Sequence, residues 1–119
     1  MKIIHFYDLN VWKEGHKLVL LAYKFVNEFP NKEKFILSPQ ILRAAISITS
    51  NIAEGFGRRG EKEKVQFYFV ARASLIEFQN QLIIARDVGY LSKKVFNEIW
   101  EQSVVVHKMQ NALIKSIRG

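Results

Sequence analysis

The sequence predicts an all-α protein, an up-down antiparallel four-helix bundle with helices near 8–28, 38–57, 61–88 and 92–117. Apolar residues recur at spacings of three and four along four separate segments, the period of a helix face buried against partners. Start and stop signals, namely Pro30, Ser38-Pro39, Gly89 and Ser92, fall between those segments. Four helices of roughly 20 to 26 residues, each about 30 to 40 Å long, account for nearly all of the 119 residues. No repeat, low-complexity segment or domain boundary interrupts the chain, so 1–119 reads as a single domain.

In the first helix Asp8 can serve as the cap, and the seam Trp12, Gly15, Val19, Ala22, Val26 follows it. Leu9, Leu18, Leu21, Phe25 and Phe29 widen that face. Gly15 in mid-helix costs about 1 kcal/mol relative to alanine, which points to a close helix crossing. Pro30 ends the helix, because the residue before a proline is pushed out of helical geometry. In the connector 31–37, Phe35, Ile36 and Leu37 are expected to tuck against the bundle end.

Ser38-Pro39 opens the second helix: the serine oxygen accepts from orphan N–H groups, and proline loses nothing in the first turn. Its seam is Ile41, Ala45, Ile48, Ile52, and Arg43 is the one charge between Gln40 and Ala53, which predicts a helix covered on most sides. Its polar residues are patterned too. Arg43, Ser47, Ser50 and Glu54 form a stripe with Asn51 beside it, and Ser74 and Glu77 form a parallel stripe on the third helix. Arg43, Ser47, Asn51, Glu54, Ser74 and Glu77 are therefore expected to make a structural polar network that fixes register. The alternative is a polar site for a ligand. The run GFGRRG at 55–60 matches G-x-G-x-x-G, but a helix precedes it and no βαβ unit surrounds it, so it reads as a helix C-terminus with a left-handed glycine.

The third helix carries the seam Tyr68, Ala71, Leu75, Phe78, Leu82, Ala85, with Phe67, Phe69, Val70 and Ile76 as a second apolar flank. Gly89 ends it, and Tyr90-Leu91 packs back. Ser92 caps the fourth helix, whose core positions include Ile99, Val106 and Leu113. Trp100, Val104 and Val105 lie off that seam, and second apolar flanks on several helices suggest an interface.

Composition narrows the function. Cysteine is absent, which removes disulfides, thiolate metal sites and thiol catalysis. The longest run near the N-terminus free of polar or charged residues, Leu18 to Tyr23, is far short of the roughly 20 residues of a membrane span, and no signal sequence is evident, so a cytoplasmic location is expected. His5, His16 and His107 lack the Glu-x-x-His spacing of a bundle metal site, and no serine has a patterned base. No metal, cofactor or catalytic residue is therefore expected. The net charge of +7 favours polyanions over neutral partners. Arg58, Arg59, Lys62 and Lys64 cluster at the second loop, with Lys93 and Lys94 after the third helix. These six are the candidate nucleic-acid contacts, and Lys32, Lys34, Lys108, Lys115 and Arg118 add to the basic surface.

The stretch Gln40 to Arg58, QILRAAISITSNIAEGFGR, resembles the signature of small four-helix-bundle proteins encoded within intervening sequences of bacterial 23S ribosomal RNA genes. Its core is Ser47, Asn51, Ile52, Ala53, Glu54 and Gly55. The likeness extends to Leu9-Asn10-Val11-Trp12, Phe29-Pro30, Phe67 through Ala71, Ser74-Leu75 with Glu77, and Gly89-Tyr90-Leu91. Gly15 departs from the alanine expected there. The resemblance implies an up-down bundle that assembles as a homopentameric ring, as does the similar accessory protein of diversity-generating retroelements, which binds nucleic acid and works with a reverse transcriptase. It implies no catalytic residues. The expected function is a non-enzymatic oligomeric bundle that binds nucleic acid, RNA before DNA. The alternative is a protein-interaction scaffold or accessory subunit whose charge serves solubility.

Overall fold

The computed structural model describes residues 2–119. Among these, four α-helices carry the fold: α1 (Asn10–Val26), α2 (Leu37–Phe56), α3 (Glu61–Asp87) and α4 (Lys93–Arg118). Short 3-10 turns at Phe6–Asp8 and Asn31–Glu33 precede α1 and α2. Each helix packs on its chain neighbours, and α1 packs on α4 to close a four-sided bundle of 43 × 25 × 21 Å. The antiparallel sense shows in the side-chain pairs. Ser47 meets Ser74 across α2 and α3, whereas Arg72 meets Asn111 and Gln79 meets Ser103 across α3 and α4. Gln102 of α4 donates to the Glu14 carbonyl of α1 at 2.9 Å.

The core is what the three-four seams predict. Leu18, Ile41, Ile48, Ile52, Leu75, Phe78, Leu82, Ile99 and Val106 are buried in one cluster drawn from all four helices. Burying each such side chain contributes about 1.5 to 3 kcal/mol. A smaller cluster of Val65, Tyr68 and Ile114 lies toward the α2–α3 loop. Between Val106 and Ile114 on the core face of α4 sits Gln110, 1% exposed, with no hydrogen-bond partner for either side-chain polar atom.

The helix ends differ from the sequence expectation in three places. Asp8 does not cap α1; it lies in the preceding 3-10 turn, where its carboxylate accepts from the N–H groups of His5 (2.9 Å) and Ile4 (3.1 Å). Those bonds, His5 first, hold the Asp8 carboxyl below its ordinary value. Ser38 does not cap α2 either. The helix begins one residue earlier, and Glu33 Oε1 accepts from the Leu37 N–H at 3.4 Å, while Ser38 and Pro39 occupy the first turn. The other oxygen of Glu33 accepts from the Tyr90 hydroxyl at 2.6 Å, so one carboxylate joins the α1–α2 connector to the α3–α4 loop. Ser92 behaves as expected, its Oγ accepting from the Val95 N–H at 3.2 Å.

The third difference is at the glycines. Gly57 has φ −76° and is right-handed; the left-handed turn predicted in GFGRRG does not form. Gly55 is instead the residue that matters, because a Cβ there would lie 2.7 Å from Tyr68 Cε1 and 2.9 Å from Phe67 Cβ. Its missing side chain lets the end of α2 cross the start of α3. Positive φ occurs at Gly89 (88°), where the Tyr90 N–H donates to Ala85 O at 2.9 Å and the Gly89 N–H to Arg86 O at 3.0 Å, a Schellman cap. Gly15 marks the expected close crossing, with Thr49 Cγ2 3.1 Å from where a Cβ would sit.

The connector is a further correction. Leu37 is buried, but Phe35 is 86% exposed and Ile36 61% exposed. Phe29, tilted against Phe25 and Tyr90 at 5.7 and 5.2 Å between ring centroids, already fills that end of the bundle, so the connector leaves its next two apolar residues outside.

Candidate nucleic-acid interface

The α2–α3 loop presents Arg58, Arg59 and Lys62 to solvent. The Arg58 guanidinium lies over the Phe67 ring at 4.6 Å, a cation-π contact that fixes a flexible side chain against α3. Arg58, Lys62, Glu63, Gln66 and Phe67 together line a shallow open surface beside the loop. Lys64 differs from its neighbours. Its Nζ donates to the carbonyls of Phe56 (2.7 Å) and Gly55 (3.4 Å), closing the C-terminus of α2 where the helix dipole favours a cation. That bond commits Lys64 to the fold and leaves Arg58, Arg59 and Lys62 as the free cations of the loop.

Lys93 and Lys94 are exposed at the first turn of α4. The structure does not bring them to the loop cluster. The 27 residues of α3 separate the two groups, a rise of about 40 Å, so each end of the bundle carries its own basic set.

The predicted polar network forms only in its small members. Ser47 and Ser74 share a 2.7 Å hydroxyl bond across α2 and α3, and Asn51 Nδ2 donates to Ser47 O at 2.8 Å and Ser47 Oγ at 3.0 Å. Arg43, Glu54 and Glu77 are exposed, and no ion pair joins them. The reason is lateral placement. The α2–α3 seam closes through serine, alanine and glycine, so the long charged side chains at its edge reach water before they reach each other. Glu77 instead accepts from Gln81 Nε2 at 3.2 Å, and Gln81 Oε1 is buried without a partner.

A second basic surface lies between α3 and α4. Arg72 Nη1 donates to Asn111 Oδ1 at 2.9 Å, and the guanidinium carbons of Arg72 and Arg118 lie 5.1 and 5.4 Å from the centre of the Phe69 ring. The signal was present in the sequence as spacing. Lys62, Phe69 and Arg72 are seven and three residues apart, and Lys108, Asn111, Lys115 and Arg118 are three, four and three apart, so each set lines one helix face.

Other features carry less chemistry. An apolar hollow of about 310 Å³ between α1 and α4 is lined by Leu21, Phe25, Tyr90, Leu91, Val95 and Ile99, with Lys24, Glu28 and Glu98 at its rim. Among the described residues no three His, Asp or Glu side chains gather closely enough to hold a metal ion, and no helix is long and apolar enough to cross a membrane.

No curated protein matches the chain in sequence. Among solved structures it is similar to a protein of unknown function from the S23 ribosomal protein family of Bacteroides thetaiotaomicron, with a TM-score of 0.82 and 22% identity over 88% of this chain and 95% of that one. That likeness supports the bundle fold. Residues 7–112 match the model of the 23S rRNA-intervening sequence protein family, and with so much of its length covered the chain belongs to that family.

Proposed function

We propose that the chain is a non-enzymatic, oligomeric bundle of the cytoplasm that binds RNA, and DNA less well, through the phosphates. Arg58, Arg59 and Lys62 make the contacts at one end and Lys93 and Lys94 at the other, with Lys64 holding the loop in place. The observation that supports this most is uncompensated charge. Among the described residues, which include all 18 Lys and Arg, only Lys17 and Arg86 pair with a carboxylate, Glu14 and Asp87 respectively. A surface with so many unpaired cations attracts polyanions, and a ring of subunits would multiply each patch. Binding of a labelled single-stranded RNA, followed by fluorescence anisotropy at low and moderate salt, tests it. Affinity should fall steeply with salt, by about 0.7 in logarithmic slope for each phosphate neutralised. Micromolar or weaker binding that ignores salt would refute it.

The oligomer has its own support. Val70 and Ile84 on one side of the buried α3 seam, and Ile76 and Ile83 on the other, are exposed at 36 to 53%, which leaves apolar surface beyond what the core uses. The family resemblance points to a homopentamer, which light scattering would separate from a 13.9 kDa monomer. The same exposed residues favour a second reading, a scaffold for partner helices, which a pull-down that survives nuclease treatment would support.

A further inference from the structure

We infer that the groove between the first half of α3 and the last half of α4 is a phosphate track for single-stranded RNA, with Arg72 and Arg118 as its central contacts. This rests on the nucleic-acid reading above and assigns it a surface distinct from the loops. Across the groove Phe69 and Arg72 of α3 meet Asn111 and Arg118 of α4, and Lys108 and Lys115 precede Arg118 on the same α4 face at spacings of seven and three. Among the described residues neither Arg72 nor Arg118 pairs with a carboxylate.

Phe69 explains why the groove suits phosphate. The ring is half-buried against the Val65, Tyr68 and Ile114 cluster, so it is a fixed platform. Two guanidiniums already lie within 5.1 and 5.4 Å of its centre, which leaves little of its face for a base to stack on. What the groove offers is the donor edges of two arginines. Arg72 spends one donor on Asn111 and keeps the rest of its fork. Planar forks of this kind match phosphate oxygens, and contacts to phosphate position a strand without reading its sequence.

Electrostatics points the same way. Both guanidinium carbons lie close to one ring centre, at 5.1 and 5.4 Å, so the two charges are no farther apart than the sum of those distances. That is about one screening length, ~10 Å at 0.1 M salt. The charges repel until an anion lies between them. The Lys108 to Arg118 face is about 15 Å long at 1.5 Å per residue, long enough to follow more than one phosphate of a strand.

The test compares three proteins in the anisotropy assay with a labelled single-stranded RNA: wild type, the groove variant Arg72→Gln/Arg118→Gln, and the loop variant Arg58→Gln/Arg59→Gln. Glutamine keeps helix propensity while removing charge, and matching circular dichroism and melting confirm the fold. The groove variant should lose at least tenfold in affinity, equally for unrelated sequences, and its salt slope should fall by about 1.4, two phosphates at 0.7 each. Arg72→Lys/Arg118→Lys should recover part of the affinity. If wild type binds and the groove variant binds equally well, the groove assignment is wrong and the loop reading stands. If wild type does not bind, both fail together. Displacement of RNA by poly-glutamate at equal charge concentration would also overturn the assignment, by showing a surface that accepts any polyanion.

Discussion

Replacing Gly55 by alanine should destabilise the bundle, and the structure supplies the size of the effect. The added methyl would meet Tyr68 Cε1 at 2.7 Å and Phe67 Cβ at 2.9 Å. A ring can rotate, but a Cβ moves only with its backbone, so α2 and α3 must separate where they cross. Overpacking of this kind costs about 1 to 3 kcal/mol, and alanine returns about 1 kcal/mol in helix propensity. Because the obstruction is rigid, a net loss of about 1 to 2 kcal/mol is expected. For a chain of 119 residues this lowers the melting temperature by about 4 to 8 °C. Two other glycines serve as internal controls. Gly57 is right-handed at φ −76°, and a Cβ there would find only carbonyl oxygens at 3.6 and 3.9 Å, so Gly57→Ala should stabilise by about 0.4 to 1 kcal/mol. Gly15→Ala meets a single methyl at 3.1 Å and should fall between the two. The assay is thermal unfolding by far-ultraviolet circular dichroism at one protein concentration, since any oligomer links stability to concentration. Gly55→Ala melting at or above wild type, or Gly57→Ala costing more than Gly55→Ala, would refute the account of the α2–α3 crossing.

Two further stability predictions follow from the polar contacts. Ser74→Ala removes the partner of the Ser47 hydroxyl and should cost about 1 kcal/mol, whereas exposed, unpaired Arg43→Ala should lie within about 0.5 kcal/mol of wild type; denaturant melts showing the reverse order would restore the buried ion network. The Glu33 bond holds the Tyr90 phenol above its ordinary value, so its contribution is complete below about pH 10 and is lost as pH rises through the folded value. Burial raises the Tyr68 phenol in the same direction, so Tyr90→Phe should flatten, without abolishing, the fall in melting temperature above about pH 10; an identical fall in both proteins would show that the Glu33 bond does not persist in solution.

The helices were legible because burial imposes a period, and a period survives in a linear string. Ser92 and Gly89 were legible because their roles are local: a hydroxyl three residues from the N–H it accepts from, and a backbone angle that suits glycine. What failed depends on how far around a helix a residue sits and on what lies across from it. Arg43 and Glu77 share a stripe with Ser47 and Ser74, but only the short side chains stay within the seam. Phe35 and Ile36 are apolar enough for the core and are shut out because Phe29 reaches that space first. Lys64 looked like a free cation until its distance to the Phe56 carbonyl was known. Of the candidate interface, the loop arginines were visible as a charge run, whereas the Arg72–Phe69–Arg118 arrangement exists only once α3 and α4 are placed side by side.

The orphaned amide of Gln110 divides the interior into unequal compartments, with Phe78 and Leu82 in the larger and only Val65, Tyr68 and Ile114 in the smaller. Regions with fewer buried apolar contacts open at lower free energy than the whole molecule. Backbone amides in the last turns of α4 should therefore exchange with solvent by local opening, while those around Phe78 wait for global unfolding. The small compartment is also the floor beneath Phe69, so a strand lying on Arg72 and Arg118 would act as a clamp on the least secured part of the bundle, and its arrival would be registered as slowed exchange there.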